Sequence, residues 1–182
     1  YNIPNVFTDY NEMLKMEEID AVSVTTWNNG HGPVAIAALN AGKHVLCEKP
    51  LALNAKEAQE MVEAAKKNNK LLMVGFVRRF GENTRIVKEA IDNGELGNIY
   101  YAKTGCIRRW GNPGGWFSDK SRSGGGPVID LGVHMIDLVR YLTGKPKAVS
   151  VTASTFNQLG MLPEIKGVDK YYSADYSTFN DV

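Results

Sequence analysis

Between His44 and Leu51 the chain reads His-Val-Leu-Cys-Glu-Lys-Pro-Leu, a short apolar run that ends abruptly in an acid, a base and a proline. Val45, Leu46 and Cys47 suit an interior parallel strand, and Pro50 has no N–H to give to a ladder, so pairing stops there. Glu48 and Lys49 then stand at the carboxyl end of a strand, the edge at which open α/β sheets bind their ligands. Taken alone, the same residues equally fit an ordinary strand-end ion pair.

Two similar runs flank this one. Ile19 to Thr26, with its core Ala21-Val-Ser-Val-Thr25, and Lys70 to Phe76 also read as buried strands. Helical patterns lie between them. Asp9-x-x-Glu12 forms a capping box for a short helix through Met13, Leu14 and Met16. Trp27 to Gly32 reads as a loop whose glycines permit unusual backbone angles, with Pro33 in the first position of a helix that closes at Gly42. Asn54-x-x-Glu57 opens a further helix that runs to about Asn68. Strands alternating with helices through short connections predict right-handed βαβ units and a parallel sheet.

The style changes after Val77. A helix is predicted from about Asn83 to Gly94, then a half-exposed strand over Ile99 to Arg109, and a glycine-rich loop over residues 111 to 127 that carries Trp116 and Phe117. A loop of that length holding large aromatics points to a binding segment. Leu131, Met135, Leu138 and Leu142 recur at helical spacing up to Gly144. Val149 to Phe156 and Tyr171 to Phe179 read as antiparallel strands joined by a polar loop containing Pro163. The fold class is therefore α/β: residues 1–77 supply a partial Rossmann-type parallel sheet, and residues 78–182 supply part of an α+β domain with an open antiparallel sheet.

Composition narrows the function classes. A net charge of +1 over 182 residues gives no general attraction to nucleic acid or an anionic membrane. The chain has no apolar run of about 18 residues. Cys47 and Cys106 lack metal or CxxC spacing and read as small hydrophobes buried in strands, which fits a reducing compartment.

Asp130, His134 and Asp137 are spaced i, i+4 and i+7, so on an α-helix they share one face, where a carboxylate can orient an imidazole as a general base. A half-buried, hydrogen-bonded histidine on a helix face would look the same. Zinc is disfavoured because no other His or Cys has supporting spacing. Gly30-His-Gly-Pro-Val-Ala35 formally matches a dinucleotide-binding G-x-G-x-x-A, but Trp27, Asn28 and Asn29 separate it from its strand, whereas a working fingerprint follows its strand directly.

Three motifs taken together resemble the glucose-fructose oxidoreductase and inositol dehydrogenase (Gfo/Idh/MocA) family: Asp20-Ala-Val-Ser-Val-Thr-Thr with His31 downstream, Ala41-Gly-Lys-His-Val-Leu-Cys-Glu-Lys-Pro-Leu-Ala, and Gly124-Gly-Gly-Pro-Val-Ile-Asp-Leu-Gly-Val-His-Met-Ile-Asp137. Their order and spacing are more specific than any one alone. The resemblance implies an NAD- or NADP-dependent oxidoreductase acting on a sugar, an inositol-like polyol or a related hydroxy compound. It implies Lys49, Asp130 and His134 as catalytic residues, with His134 taking a hydroxyl proton and Lys49 stabilising charge on the same oxygen. It implies Thr26, Asn28, His31, Glu48, Lys49 and Pro50 on the cofactor side, and Arg109, Trp116, Asp130 and His134 on the substrate side. It further implies a homo-oligomer, dimer or tetramer, in the cytoplasm, without a metal, nucleic-acid or membrane partner. Two other readings stay open: cofactor-assisted glycoside cleavage without net redox, and a non-catalytic binding member, against which the joint presence of Lys49, Asp130 and His134 argues.

Members of that family begin with a strand and a G-x-G-x-x-G turn that seats the pyrophosphate, and nothing in this sequence corresponds to it. The chain is thus expected to be the middle of a longer protein and, alone, to bind dinucleotide poorly while exposing unpaired sheet edges.

Overall fold

The computed structural model describes residues 2–107 and 113–156. The chain divides into two compact units, Tyr1–Gly75 and Phe76–Val182.

In the first unit, strands β1 (Ala21–Val24), β2 (His44–Cys47) and β3 (Leu72–Val74) form a parallel sheet in the order β1-β2-β3. The register aligns Val22 with Val45 and Leu72, and Val24 with Cys47 and Val74. These residues point to one face, where helices α2 (Asn28–Asn40) and α3 (Ala55–Lys67) cover them with Ala35, Ala38, Leu39, Met61, Ala64 and Ala65. The alternate residues face the other way, and there Leu46 is 44% exposed and Met73 49%. The sequence reads these strands as buried on both faces. The structure makes them one-sided, because both long helices of this unit pack on the same side.

Side-chain caps account for two helix starts in the first unit. Asn54 Oδ1 accepts the Glu57 N–H at 3.0 Å to cap α3, and Glu57 Oε2 accepts the Leu53 N–H at 2.9 Å in return. In the short helix α1 (Tyr10–Leu14), Asp9 Oδ1 accepts the Asn11 N–H, but Glu12 is drawn to Lys15 Nζ at 2.7 Å. The predicted capping box is therefore only half made, and the helix stops before Met16.

The largest departure lies at the start of α2. Residues 28–32 are helical, so the predicted loop is absent and Pro33 sits inside the helix. The glycines there are needed for close approach. A Cβ on Gly30 would meet Thr26 Oγ1 at 2.7 Å, and one on Gly32 would meet the Glu57 carboxylate at 2.3 Å.

In the second unit, α4 (Glu82–Asp92) and α6 (Val133–Leu142) match the helices expected there. The glycine-rich segment contains a 3₁₀ turn (Gly115–Ser118) and the four-residue α5 (Lys120–Ser123). Residues 99–107 and 149–156 are not in strands, contrary to expectation, and Tyr100, Ile107, Val149 and Val151 are exposed. A strand exists only with a ladder partner, and among the described residues of this unit none pairs with either segment. Cys106 is correspondingly exposed, not buried. The predicted strand Tyr171 to Phe179 and the Pro163 loop lie outside the described residues.

Candidate active site

The carboxyl edge of the sheet is laced together by backbone bonds. The Glu48 N–H donates to Val24 O at 2.9 Å, and the Gly75 N–H donates to Cys47 O at 2.8 Å, so the three strand ends hold one another in place. Glu48 folds back on its own turn: its Oε2 accepts the Lys49 N–H at 3.1 Å, and its Oε1 lies 3.4 Å from where a Cβ on Gly75 would stand. Gly75 is thus part of this edge, a role the sequence signals only by placing a glycine directly after an apolar strand. Glu48 and Lys49 are half-buried and Pro50 is buried behind a cis Lys49–Pro50 peptide.

Of the other residues expected on the cofactor side, Asn28 is buried in the first turn of α2 and Thr26 is exposed just beyond β1. His31 is 1% exposed, with Nδ1 2.6 Å from Pro50 O and Nε2 3.1 Å from Thr26 O. Thr26, His31, Glu48, Lys49 and Pro50 are therefore brought together at one edge. Cys47 adds no nucleophile. Its thiol is buried, lies 3.9 Å from Leu51 O, and is pushed up to about 12 by burial first and then by the Glu48 and Glu57 charges.

The second unit carries Asp130 and His134. Val128–Gly132 forms a π-helical turn, in which the Val133 N–H reaches back to Val128 O, and α6 follows directly. Asp130 belongs to that wider turn, whereas His134 and Asp137 belong to α6, so the three do not lie on one continuous α-helix as the spacing assumed. Single π turns within helices occur frequently at functional sites. His134 opens α6, half-buried, edge-on to Phe76 at 6.4 Å between ring centroids.

Asp137 is committed elsewhere. It takes both arms of Arg79, with Nε donating to Oδ2 at 2.8 Å and Nη2 donating to Oδ1. The guanidinium lies between the Phe76 and Tyr141 rings, and its hydrogen bond to Asp137 raises its proton affinity further above the ordinary arginine value. The pair ties the segment after β3 to α6, and nothing in the local sequence announces it, since its members are 58 residues apart. Trp116 is half-buried and stacks on Phe117 at 3.9 Å. Arg109 lies outside the described residues. Among the described residues no group of three or more His, Cys, Asp or Glu is placed to hold a metal ion.

A parallel βαβ sheet with a lysine turn at its carboxyl edge is an α/β arrangement whose ligands bind at that edge, and the second unit carries a histidine directly after a π turn. Residues 1–76 match the GFO_IDH_MocA description "Oxidoreductase family, NAD-binding Rossmann fold", and residues 84–180 match the GFO/IDH/MocA C-terminal domain. The chain belongs to the Gfo/Idh/MocA oxidoreductase family. It is 39% identical over 178 residues to the D-glucoside 3-dehydrogenase of Escherichia coli, which covers 97% of this chain and 51% of that enzyme. The crystal structure of myo-inositol 2-dehydrogenase from Lactobacillus plantarum superposes with a TM-score of 0.66 at 35% identity, covering 76% of this chain and 41% of that one. Levoglucosan dehydrogenase in complex with NADH and levoglucosan gives 0.63 at 32% identity, covering 76% and 39%. The chain spans about half the length of the curated relatives it matches. Among the described residues no helix is long and apolar enough to cross a membrane.

Proposed function

We propose that the full-length protein is an NAD(P)-dependent dehydrogenase that oxidises a hydroxyl of a sugar, glycoside or inositol-like polyol. The observation that carries this reading is the Glu48-Lys49-Pro50 turn held at the carboxyl edge of a parallel sheet, in a chain whose relatives are named dehydrogenases of glucosides, inositol and levoglucosan. The residues present fit the nicotinamide end of the cofactor, since that edge combines a cationic side chain, a carboxylate and close-packed strand ends. They do not supply the pyrophosphate seat: Gly30 and Gly32, the nearest sequence match, are packed against Thr26 and Glu57.

Lys49 is assigned to stabilise negative charge on the reacting oxygen, His134 to accept the hydroxyl proton, and Asp130 to support the imidazolium that results. When bound, the nicotinamide takes up the hydride. Glu48, Thr26 and Asn28 are assigned to its ribose side, and Trp116 with Arg109 to the substrate. The first unit is read as part of the Rossmann domain and the second as part of the substrate domain. A homo-oligomer in the cytoplasm completes the reading, the latter supported by free thiols at Cys47 and Cys106; no nucleic-acid or membrane partner is proposed.

The test is product analysis of the full-length protein with methyl β-D-glucoside, levoglucosan and myo-inositol, each with NAD and NADP. Reduced cofactor accumulating with an oxidised sugar supports dehydrogenation. Free sugar released from the glycoside without net reduced cofactor would replace it with glycoside cleavage, and no turnover of any pair would remove it.

A further inference from the structure

His31 is the one imidazole whose two ring nitrogens both face main-chain carbonyls in the described residues, and those carbonyls belong to different strand ends. Pro50 O follows β2 and Thr26 O follows β1. A carbonyl oxygen can only accept, so the shorter of the two contacts, 2.6 Å to Pro50 O, is a hydrogen bond when Nδ1 carries the ring hydrogen. With the side chain buried, no water competes for either contact. The residues around it are built to admit this contact. Gly30 lets the first turn of α2 close onto Thr26, and Gly32 lets it close onto Glu57, so His31 projects from a turn pressed against both neighbours. The rest of the Lys49 turn is held from other sides: Glu48 Oε2 on the Lys49 N–H, Cys47 Sγ toward Leu51 O, and Glu57 Oε2 on the Leu53 N–H. Among the described residues it is His31 that meets the Pro50 carbonyl, the atom one peptide unit beyond Lys49.

We propose that His31 is a positioning residue: it bridges the end of β1 to the Lys49–Pro50 turn and so fixes where Lys49 is presented, rather than touching the cofactor itself. The proposal rests on the reading of Lys49 as catalytic for its consequence in turnover, but its structural core does not.

The test is competitive lysine labelling of the full-length protein by reductive methylation, read by peptide mass spectrometry. In His31→Leu, Lys49 labelling rises about tenfold, the scale on which losing one hydrogen bond acts on a local opening. Lys43, held by Met16 O at 2.7 Å at the opposite edge of the sheet, labels as before. His31→Gln keeps an amide donor and gives an intermediate rise. Unchanged Lys49 labelling in a folded His31→Leu protein would overturn the proposal, as would an equal rise at Lys43. Should both variants fail to fold, the ¹⁵N spectrum of the wild-type ring decides: a hydrogen on Nδ1, facing Pro50 O, supports the bridge, and an Nδ1 without one overturns it. Turnover separates this from the functional reading. Loss of kcat in Lys49→Met, with no further loss when His31→Gln is added, supports action through Lys49, and multiplicative losses overturn it. An unchanged kcat in Lys49→Met refutes the catalytic role of Lys49 while the labelling result still judges the bridge.

Discussion

The two units are built on opposite plans. In Tyr1–Gly75 a contiguous set of buried residues from Leu14 to Ala65 fills one face of the sheet, whereas in the described part of Phe76–Val182 Met135 is the single buried hydrophobic residue. The first unit closes through βαβ crossovers, so each strand meets its neighbour after some twenty to thirty residues, and local patterning suffices to assemble it. The second is held by particular long-range ties, Arg79 to Asp137 above all, together with the turn chemistry around Asp119. Among the described residues the lesson is a division of labour: buried apolar packing sits in the first unit, while the proposed base stands beside a few polar contacts.

That contrast can be broken in several places. The largest effect is expected for His134→Asn, which should lower kcat by roughly 10²–10⁴-fold with the thermal transition unmoved; equal losses in Tm and activity would place His134 in the structural framework instead. Leu39→Ala, at a fully buried site, should cost about 2–5 kcal/mol in denaturant unfolding, whereas Ile136→Ala, exposed on α6, should stay within about 0.5 kcal/mol. Similar values for the two would erase the difference in packing between the units. Asp137→Asn removes the charge facing the half-buried Arg79 and should cost about 1–3 kcal/mol, with kcat reduced only through displacement of α6.

The smallest effect concerns the thiols. Cys106 should react with a disulfide reagent at once and Cys47 only on unfolding. Because the folded protein keeps the Cys47 proton up to about 12, against 9.0 for the free group, the folded state binds more protons between those values. Stability should therefore fall as pH rises above about 9, and Cys47→Ala should flatten that alkaline slope in chemical denaturation.

Much of the first unit was legible residue by residue. Apolar runs marked the three strands, Asn54 marked a helix start and Gly42 a helix end, and Pro50 showed where pairing along β2 must cease. The start of α2 was not legible, because Gly30 and Gly32 look like loop residues until Thr26 and Glu57 are seen pressing on them. In the second unit helical spacing set Asp137 near His134 on one helix, and only the structure shows that its carboxylate takes Arg79. The strands expected over 99–107 and 149–156 failed for the matching reason, that alternation shows a segment able to pair and not what it pairs with.

The sequence by itself therefore determined the alternation of strands and helices in the first unit, its parallel sheet and the lysine turn at its carboxyl edge, since these follow from backbone rules and side-chain periods that act over a few residues, while the family was legible only as a resemblance of three motifs. Only the tertiary structure decided that α2 begins at Asn28, that a π turn separates Asp130 from α6, that Arg79 takes Asp137, and that His31 faces two carbonyls across two strand ends. Each of these depends on groups distant in the chain or on how closely two segments can approach, and such distances are fixed by packing rather than by neighbouring residues.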